Sequence, residues 1–325
     1  MGYLIAHRAT MKHLLSQYAY GVELQGSILT NGTKQWHHDY NFPKITLGIV
    51  YSNLGNNKIL GEVIGVLGGL NLPFFQEKGF RFGANFNGGI GFITKKYDVK
   101  RNPKNNAIGS NLNCMVSAGL LVEKIWKQHA IGFEINMTHL SNGAIVLPNL
   151  GVNLPTVKLS YSYYFKPIDM TGEANGEIEG PSIKKWNFYT QLILSAKQIY
   201  PTGGHLYGIF GLTNFAQYRF SKKSIVETGV DFIYNQSIVP YNDVTYSFHK
   251  NMRLGIYGAY VLPIHRFHIL LGMGGYVYKP LPPNGWVYLK FGARFRIIDR
   301  LWGNVTIKSH WAKADYFEYG LTFRW

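Results

Sequence analysis

From residue 317 to the end of the chain, apolar and polar positions alternate one for one. Phe317, Tyr319, Leu321, Phe323 and Trp325 stand on one face, and Glu318, Gly320, Thr322 and Arg324 on the other. A period of two predicts a strand with one apolar side. The pattern recurs at residues 133–141, where Phe133, Ile135 and Met137 oppose Glu134, Asn136 and Thr138. It recurs at 156–163, where Val157, Leu159, Tyr161 and Tyr163 oppose Thr156, Lys158, Ser160 and Ser162. Cys114, Val116, Ala118, Leu120 and Val122 form a further apolar face, so Cys114 is expected to point outward and to be inert. Glu134 and Lys158 are both on polar faces and are candidates to meet inside.

Connections alternate in length. Ser221-Lys222-Lys223-Ser224, Pro263-Ile264-His265-Arg266 and Ile298-Asp299-Arg300 predict tight turns, whereas 201–206, 237–250, 279–285 and 311–315 predict longer loops. The pattern gives seven or eight strands before residue 166 and about eight from residue 183 onward. Residues 166–182 are rich in glycine and acid without apolar period, and read as a linker or loop between a first half, 1–165, and a second half, 183–325. Residues 1–14 carry no clear strand signal.

Composition decides what kind of strands these are. Tyr, Phe and Trp number 23, 20 and 7, Gly 37, and charged residues make up only 15% of the 325, against roughly a quarter in soluble domains. Mean hydropathy is nevertheless −0.08, and no run reaches the ~18 apolar residues of a membrane helix. Alternating lipid-facing and lumen-facing residues produce this combination. The predicted fold is an all-β antiparallel transmembrane barrel of the bacterial outer membrane. About 14–16 strands in one barrel is preferred, with two tandem barrels of about eight as the alternative. A last strand ending in an aromatic residue resembles the signal read by the barrel-assembly machinery, an expected partner. The first residues lack the apolar core of a secretory signal, so a signal peptide is expected to be absent from this numbering.

One cysteine excludes an intramolecular disulfide and a thiolate metal cluster. A net charge of +16 invites nucleic acid, an anionic membrane surface or an anionic substrate. No nucleic-acid module surrounds the charges, which leaves the last two. The cluster Lys95, Lys96, Lys100, Arg101 and Lys104 in a long polar loop suits lipid phosphates, and equally a solvated rim.

One constellation carries chemistry. His139 and Ser141 are two apart and therefore continue the apolar face of Phe133, Ile135 and Met137 toward lipid. A base and a hydroxyl there could act on an ester embedded in the membrane. A lone His-x-Ser is ordinarily a solvated rim pair, but the surroundings are specific. His139-Leu140-Ser141-Asn142 followed by Pro148-Asn149 and Gly151 resembles the H-x-S-N and P-N-x-G motif of PagL-type lipid A 3-O-deacylases, small outer-membrane barrels that remove an acyl chain from lipopolysaccharide. The resemblance covers roughly residues 15–165 and implies a metal-independent, cofactor-free esterase. Its implied roles are Ser141 as nucleophile, His139 as base, and Asn142, Gly143 and Ala144 near the oxyanion. The family's third member is a glutamate two residues after the motif glycine. Asn153 stands at that position, and an amide can still orient an imidazole.

Other candidates fall away. Ser309 and His310, with Asp315 and Glu318, are adjacent and so lie on opposite faces. His37-His38 and the stretch from His265 to His268 lack acidic partners at metal-ligand spacing and read as loop and turn residues. Two other functions are carried beside the esterase: a non-catalytic scaffold or subunit of an envelope protein complex, and a porin.

Overall fold

The computed structural model describes residues 1–166, 185–282, 284–311 and 313–325. All of the expected linker except Lys166 lies outside the described residues. The described residues divide into two compact units, one holding Met1–Asn142 and residues 148–166, the other Gly143–Leu147 and residues from 185 to Trp325.

In the first unit seven antiparallel strands pair in chain order: β1 (Gly21–Leu29), β2 (Lys44–Asn53), β3 (Glu62–Glu77), β4 (Phe80–Ile93), β5 (Leu112–Trp126), β6 (His129–Ser141) and β7 (Val152–Tyr163). Two-residue hairpins suit the right-handed twist of strands when both turn residues have positive φ. Lys78 (φ 49°) and Gly79 (φ 78°) supply this between β3 and β4. Ile131, Phe133, Ile135 and Met137 are exposed on one face, while Glu134, Asn136 and Thr138 are buried on the other. Lys158 on β7 reaches Glu23 on β1 at 2.9 Å and Glu134 at 3.8 Å, so the sheet curls until its first and last strands share an ion pair.

Residues 1–5 lie between those two edges. Tyr3 N donates to Pro155 O (3.2 Å) and Ile5 N to Asn153 O (3.0 Å), while Gly2 N donates to Ala19 O (2.7 Å). A 3-10 helix over Ala9–Leu14 follows. Its Met11 and Leu14 join Leu4, Leu54, Leu60, Ile93, Ala107, Ile108, Leu140 and Val152 in an apolar core at the end where β6 stops and β7 begins.

The second unit is a closed barrel of β8 (Trp186–Gln198), β9 (Leu206–Ser221), β10 (Ser224–Asn235), β11 (Met252–Ile264), β12 (Phe267–Tyr278), β13 (Val287–Arg296), β14 (Leu301–His310) and β15 (Lys313–Arg324). Closure is between β15 and β8, with Leu321 opposite Leu192. From Glu318 onward the last strand alternates as its sequence demands, with Tyr319, Leu321, Phe323 and Trp325 exposed and Glu318 and Thr322 buried; Phe317, expected on the exposed face, is buried.

The strands total fifteen among the described residues, within the expected range. They are shared between a curled seven-stranded sheet and a closed eight-stranded barrel in place of the preferred single closure; of the two tandem barrels held as the alternative, the second unit is one and the first is a sheet whose edge strands do not pair among the described residues. The three tight turns and the loops at 201–206, 237–250 and 279–285 are where the pattern puts them. The loop expected at 311–315 is not a loop. Trp311 takes a left-handed φ of 54°, the chain reverses there, and Asp315 lies inside β15. His268 is likewise no turn residue: it sits in β12, buried, with its ring 4.4 Å from that of Trp302.

The interior of the second barrel is filled with balanced charge. Asp231 accepts from Thr213 (2.7 Å), Tyr288 (2.8 Å), Lys290 (2.8 Å) and Lys308 (3.2 Å). Glu318 lies 3.3 Å from both lysines. Glu227 holds Arg294 through both oxygens at 2.5 and 2.9 Å, and also accepts from Tyr257 and Gln217. Buried charges are tolerated when paired and fully hydrogen-bonded, and removing one member leaves the others uncompensated. Asp231→Ala is therefore expected to destabilise the barrel by about 3 kcal/mol or more. Urea unfolding in lipid vesicles, followed by tryptophan fluorescence, reads this as a fall in midpoint. An unchanged midpoint would mean the network contributes little.

Candidate active site

Strand register assembles the site. On β6, His139 stands opposite Val116 of β5 and Asn153 of β7, and Ser141 stands opposite Cys114. Opposed side chains in antiparallel strands have Cβ atoms about 4.5–5.5 Å apart, so residues far apart in the chain converge without special loop geometry. His139 Nδ1 and Asn153 Oδ1 are 2.6 Å apart. With the amide oxygen as acceptor, His139 Nδ1 carries the proton and Nε2 keeps its lone pair, the tautomer a general base requires. Asn153 Nδ2 in turn donates to Nδ1 of His7 at 3.0 Å.

Gly151 belongs to this packing. Its φ is +81°, and a Cβ added there would lie 2.8 Å from His139 Cε1. The motif glycine thus leaves room for the imidazole. Gly151 N also donates to Ala107 O (2.9 Å), tying the β6–β7 connection to the loop before β5.

His139 and Asn153 are half-buried, and Ser141, expected to face lipid, is only 3% exposed. Among the described residues no hydrogen bond joins Ser141 Oγ to His139. Catalytic bonds of this kind are commonly loose before substrate binds. Asn142 is committed elsewhere: its main-chain N–H donates to Asn149 Oδ1 (3.0 Å) and its Nδ2 to Ser110 Oγ (2.8 Å). These bonds fix the loop after Ser141, and Asn149 of the motif gains a structural role from them. Gly143 (φ 63°) and Ala144 (φ 65°) continue in left-handed conformation and group with the second unit.

The basic cluster Lys95, Lys96, Lys100, Arg101 and Lys104 is exposed on the β4–β5 loop. Asp98 accepts from the main-chain N–H of Arg101 (2.8 Å) and Lys100 (2.9 Å), bonds that hold its carboxyl below the usual carboxylate range. Asn105 anchors the same loop, donating to Lys95 O and accepting from Ala107 and Ile108 N. The discounted second set remains apart from this chemistry. His310 is buried in the second barrel 3.6 Å from Asp315, which also pairs with Lys197.

The sequence assigns no role to His7 or Ser110, and none to Asn149 beyond its place in the motif. Ser110 and His7 are 32 and 146 residues from their partners and left no local signal.

Two family models match the chain: lipid A 3-O-deacylase (PagL) over residues 19–162, and acyloxyacyl hydrolase, C-terminal domain, over residues 185–325. The first half belongs to the PagL family of lipid A 3-O-deacylases. Membership implies lipid A as substrate and residence in the outer membrane as an integral barrel. No curated protein matches. Among solved structures, a Rhodopseudomonas blastica porin mutant is 7% identical, with 94% of this chain and 99% of that chain covered and a TM-score of 0.20. The Pseudomonas putida toluene transporter TodX is 9% identical, covering 94% and 80%, at 0.19. A Pseudomonas aeruginosa FadL homologue is 12% identical, covering 93% and 76%, at 0.18.

The PagL-like site gives a prediction at its glycine. Gly151→Ala forces a side chain into His139 from a backbone conformation that disfavours it, and deacylation of lipid A should fall by about tenfold or more. The heat-modifiable mobility of the folded barrel on gels should persist. Full activity in that variant would mean the ring does not need this space.

Proposed function

We propose that the chain removes an ester-linked acyl chain from lipid A by a Ser/His mechanism. The observation that carries the reading is the 2.6 Å bond from His139 to Asn153, on the same strand face as Ser141. Ser141 Oγ attacks the ester carbonyl while its proton passes to His139 Nε2. The tetrahedral intermediate collapses, and the lipid A hydroxyl leaves with that proton. Water, deprotonated by the same nitrogen, then releases the fatty acid and restores Ser141. Asn153 orients the ring throughout. The motif's neighbourhood of Asn142, Gly143 and Ala144 is where oxyanion donors would be found. The Asn142 main-chain N–H is engaged with Asn149, so it must be released to serve there. The five exposed cations of the β4–β5 loop suit the phosphates of lipid A.

A scaffold function within an envelope complex draws support from the neutral Asn153, where the family carries a carboxylate. The porin reading loses ground to the charge network that fills the second barrel, since barrels of about eight strands are filled by side chains.

Mass spectrometry of lipid A from cells expressing the chain should show species lacking one acyl group. Ser141→Ala should abolish them. Identical acylation with wild type, Ser141→Ala and an empty control would favour the scaffold. A second outcome concerns the amide. A carboxylate beside the imidazole stabilises its cation in the transition state, and replacing Asp by Asn in a serine triad costs about 10⁴ in rate. Asn153→Asp should therefore raise the rate of deacylation, by about tenfold or more. A fall would mean the amide is required for something a carboxylate cannot do.

A further inference from the structure

We infer that His7, from the segment laid along β7, is a positioning residue that fixes the orientation of the Asn153 amide and through it the tautomer of His139. The inference rests on the deacylase reading and concerns Asn153, which stands where the family motif carries a glutamate.

A carboxylate beside a histidine has two equivalent oxygens, so it cannot be the wrong way round. An amide can. With Oδ1 toward His139, Nδ1 carries the proton and Nε2 is free to accept one. With Nδ2 toward His139, Nδ1 must accept, the ring proton moves to Nε2, and the base is lost. The amide alone does not decide between these arrangements, because oxygen and nitrogen occupy interchangeable places.

His7 ties that choice to a second ring. Its Nδ1 lies 3.0 Å from Asn153 Nδ2 while Asn153 Oδ1 lies 2.6 Å from His139 Nδ1. A neutral imidazole accepting at Nδ1 has its proton on Nε2, so the three side chains form one directional chain: His139 donates to Asn153, and Asn153 donates to His7. Turning the amide over would require the protons of both rings to change places together, whereas the His139–Asn153 pair alone could flip with a change in one ring. His7 is itself held in place. Ile5 N donates to the main-chain oxygen of Asn153 at 3.0 Å, Tyr3 N to Pro155 O at 3.2 Å, and Leu4 is buried in the apolar core.

The test compares wild type, His7→Ala, His7→Asn, Asn153→Asp and the double variant His7→Ala/Asn153→Asp, purified as the full chain in detergent micelles with lipopolysaccharide as substrate. His7→Ala should lower kcat on the order of tenfold, the scale of one lost hydrogen bond, with KM unchanged. His7→Asn keeps an acceptor near the place of Nδ1 and should recover most of the loss. In the Asn153→Asp background there is no amide to orient, so the cost of removing His7 should shrink to under about twofold, the behaviour expected of coupled residues. An equal cost in both backgrounds would make His7 merely structural, and no cost in either would overturn the inference. A second measurement does not depend on turnover. Nitrogen-15 NMR of the His139 ring should place the proton on Nδ1 in the wild type and distribute it to Nε2 in His7→Ala. An unchanged tautomer there would also overturn the inference, whereas a wild type that leaves lipid A intact while the tautomer shifts would overturn only the deacylase reading.

Discussion

The structure depends on the absence of water around its outer face. In a bilayer every backbone N–H and C=O needs a partner within the protein, which restricts spanning segments to helices or to strands whose edges are paired or covered, as in a barrel. Once the segments are strands, the pleat dictates side-chain placement: Phe133, Ile135 and Met137 are exposed because Glu134, Asn136 and Thr138 are buried. The same rule drives charge into the second barrel, where Asp231, Glu227 and Glu318 face Lys290, Lys308 and Arg294. Three charges of each sign, paired with one another, make that interior tolerable, with Glu318 Oε1 held by its ion pair to Lys308 alone. The site follows from the same rule. His139 and Ser141 occupy the last two places of an outward apolar stripe, so the polar pair lies where the stripe ends.

Everything decided by a local period was legible. The strand halves, the tight turns after Ser221, Ile264 and Arg296, the outward Leu321 and Phe323, and the meeting of Glu134 with Lys158 all follow from residues near each other or opposite each other. Closure was not legible. Whether β15 pairs with β8 is a choice among edges more than a hundred residues apart, and alternation reads the same for one barrel or two. The reversal at Trp311 was hidden for a different reason. A non-glycine residue in the left-handed region gives no turn signal, and the polar Asp315 that suggested a loop is inward-facing and paired with Lys197.

The candidate site divides along the same line. His139, Ser141 and Asn153 were assigned to one face by counting in twos, and register confirms that His139 and Asn153 are direct neighbours. His7 could not be found that way. It reaches Asn153 across 146 residues from a segment without apolar period, and only the bonds of Tyr3 and Ile5 to β7 place it. The departure at Asn153 also changes meaning with structure in hand. On sequence it is a missing charge. In three dimensions it is a donor and an acceptor with two different partners, which a carboxylate could replace only if both rings turned an N–H toward it.

Asparagine does comparable work throughout this end of the first unit. Asn56 bonds Leu14 O and Ile59 N, Asn102 bonds Ile59 O and Lys96 O, and Asn105 bonds Lys95 O, Ala107 N and Ile108 N. Asn149 takes the N–H of Asn142, whose own side chain goes to Ser110. Loops above a sheet leave main-chain groups that no strand can pair, and an amide meets both kinds at once without introducing charge. The apolar core of Met11, Leu14, Leu60, Ile108, Leu140 and Val152 then packs beneath loops already tied. A site on such loops is held nearly as firmly as one on strands, which matters because loss of about 1 Å of precision can cost two orders of magnitude in rate. The amide at Asn153 extends this practice from the loops to the strands, bonding the rings of His139 and His7 at once.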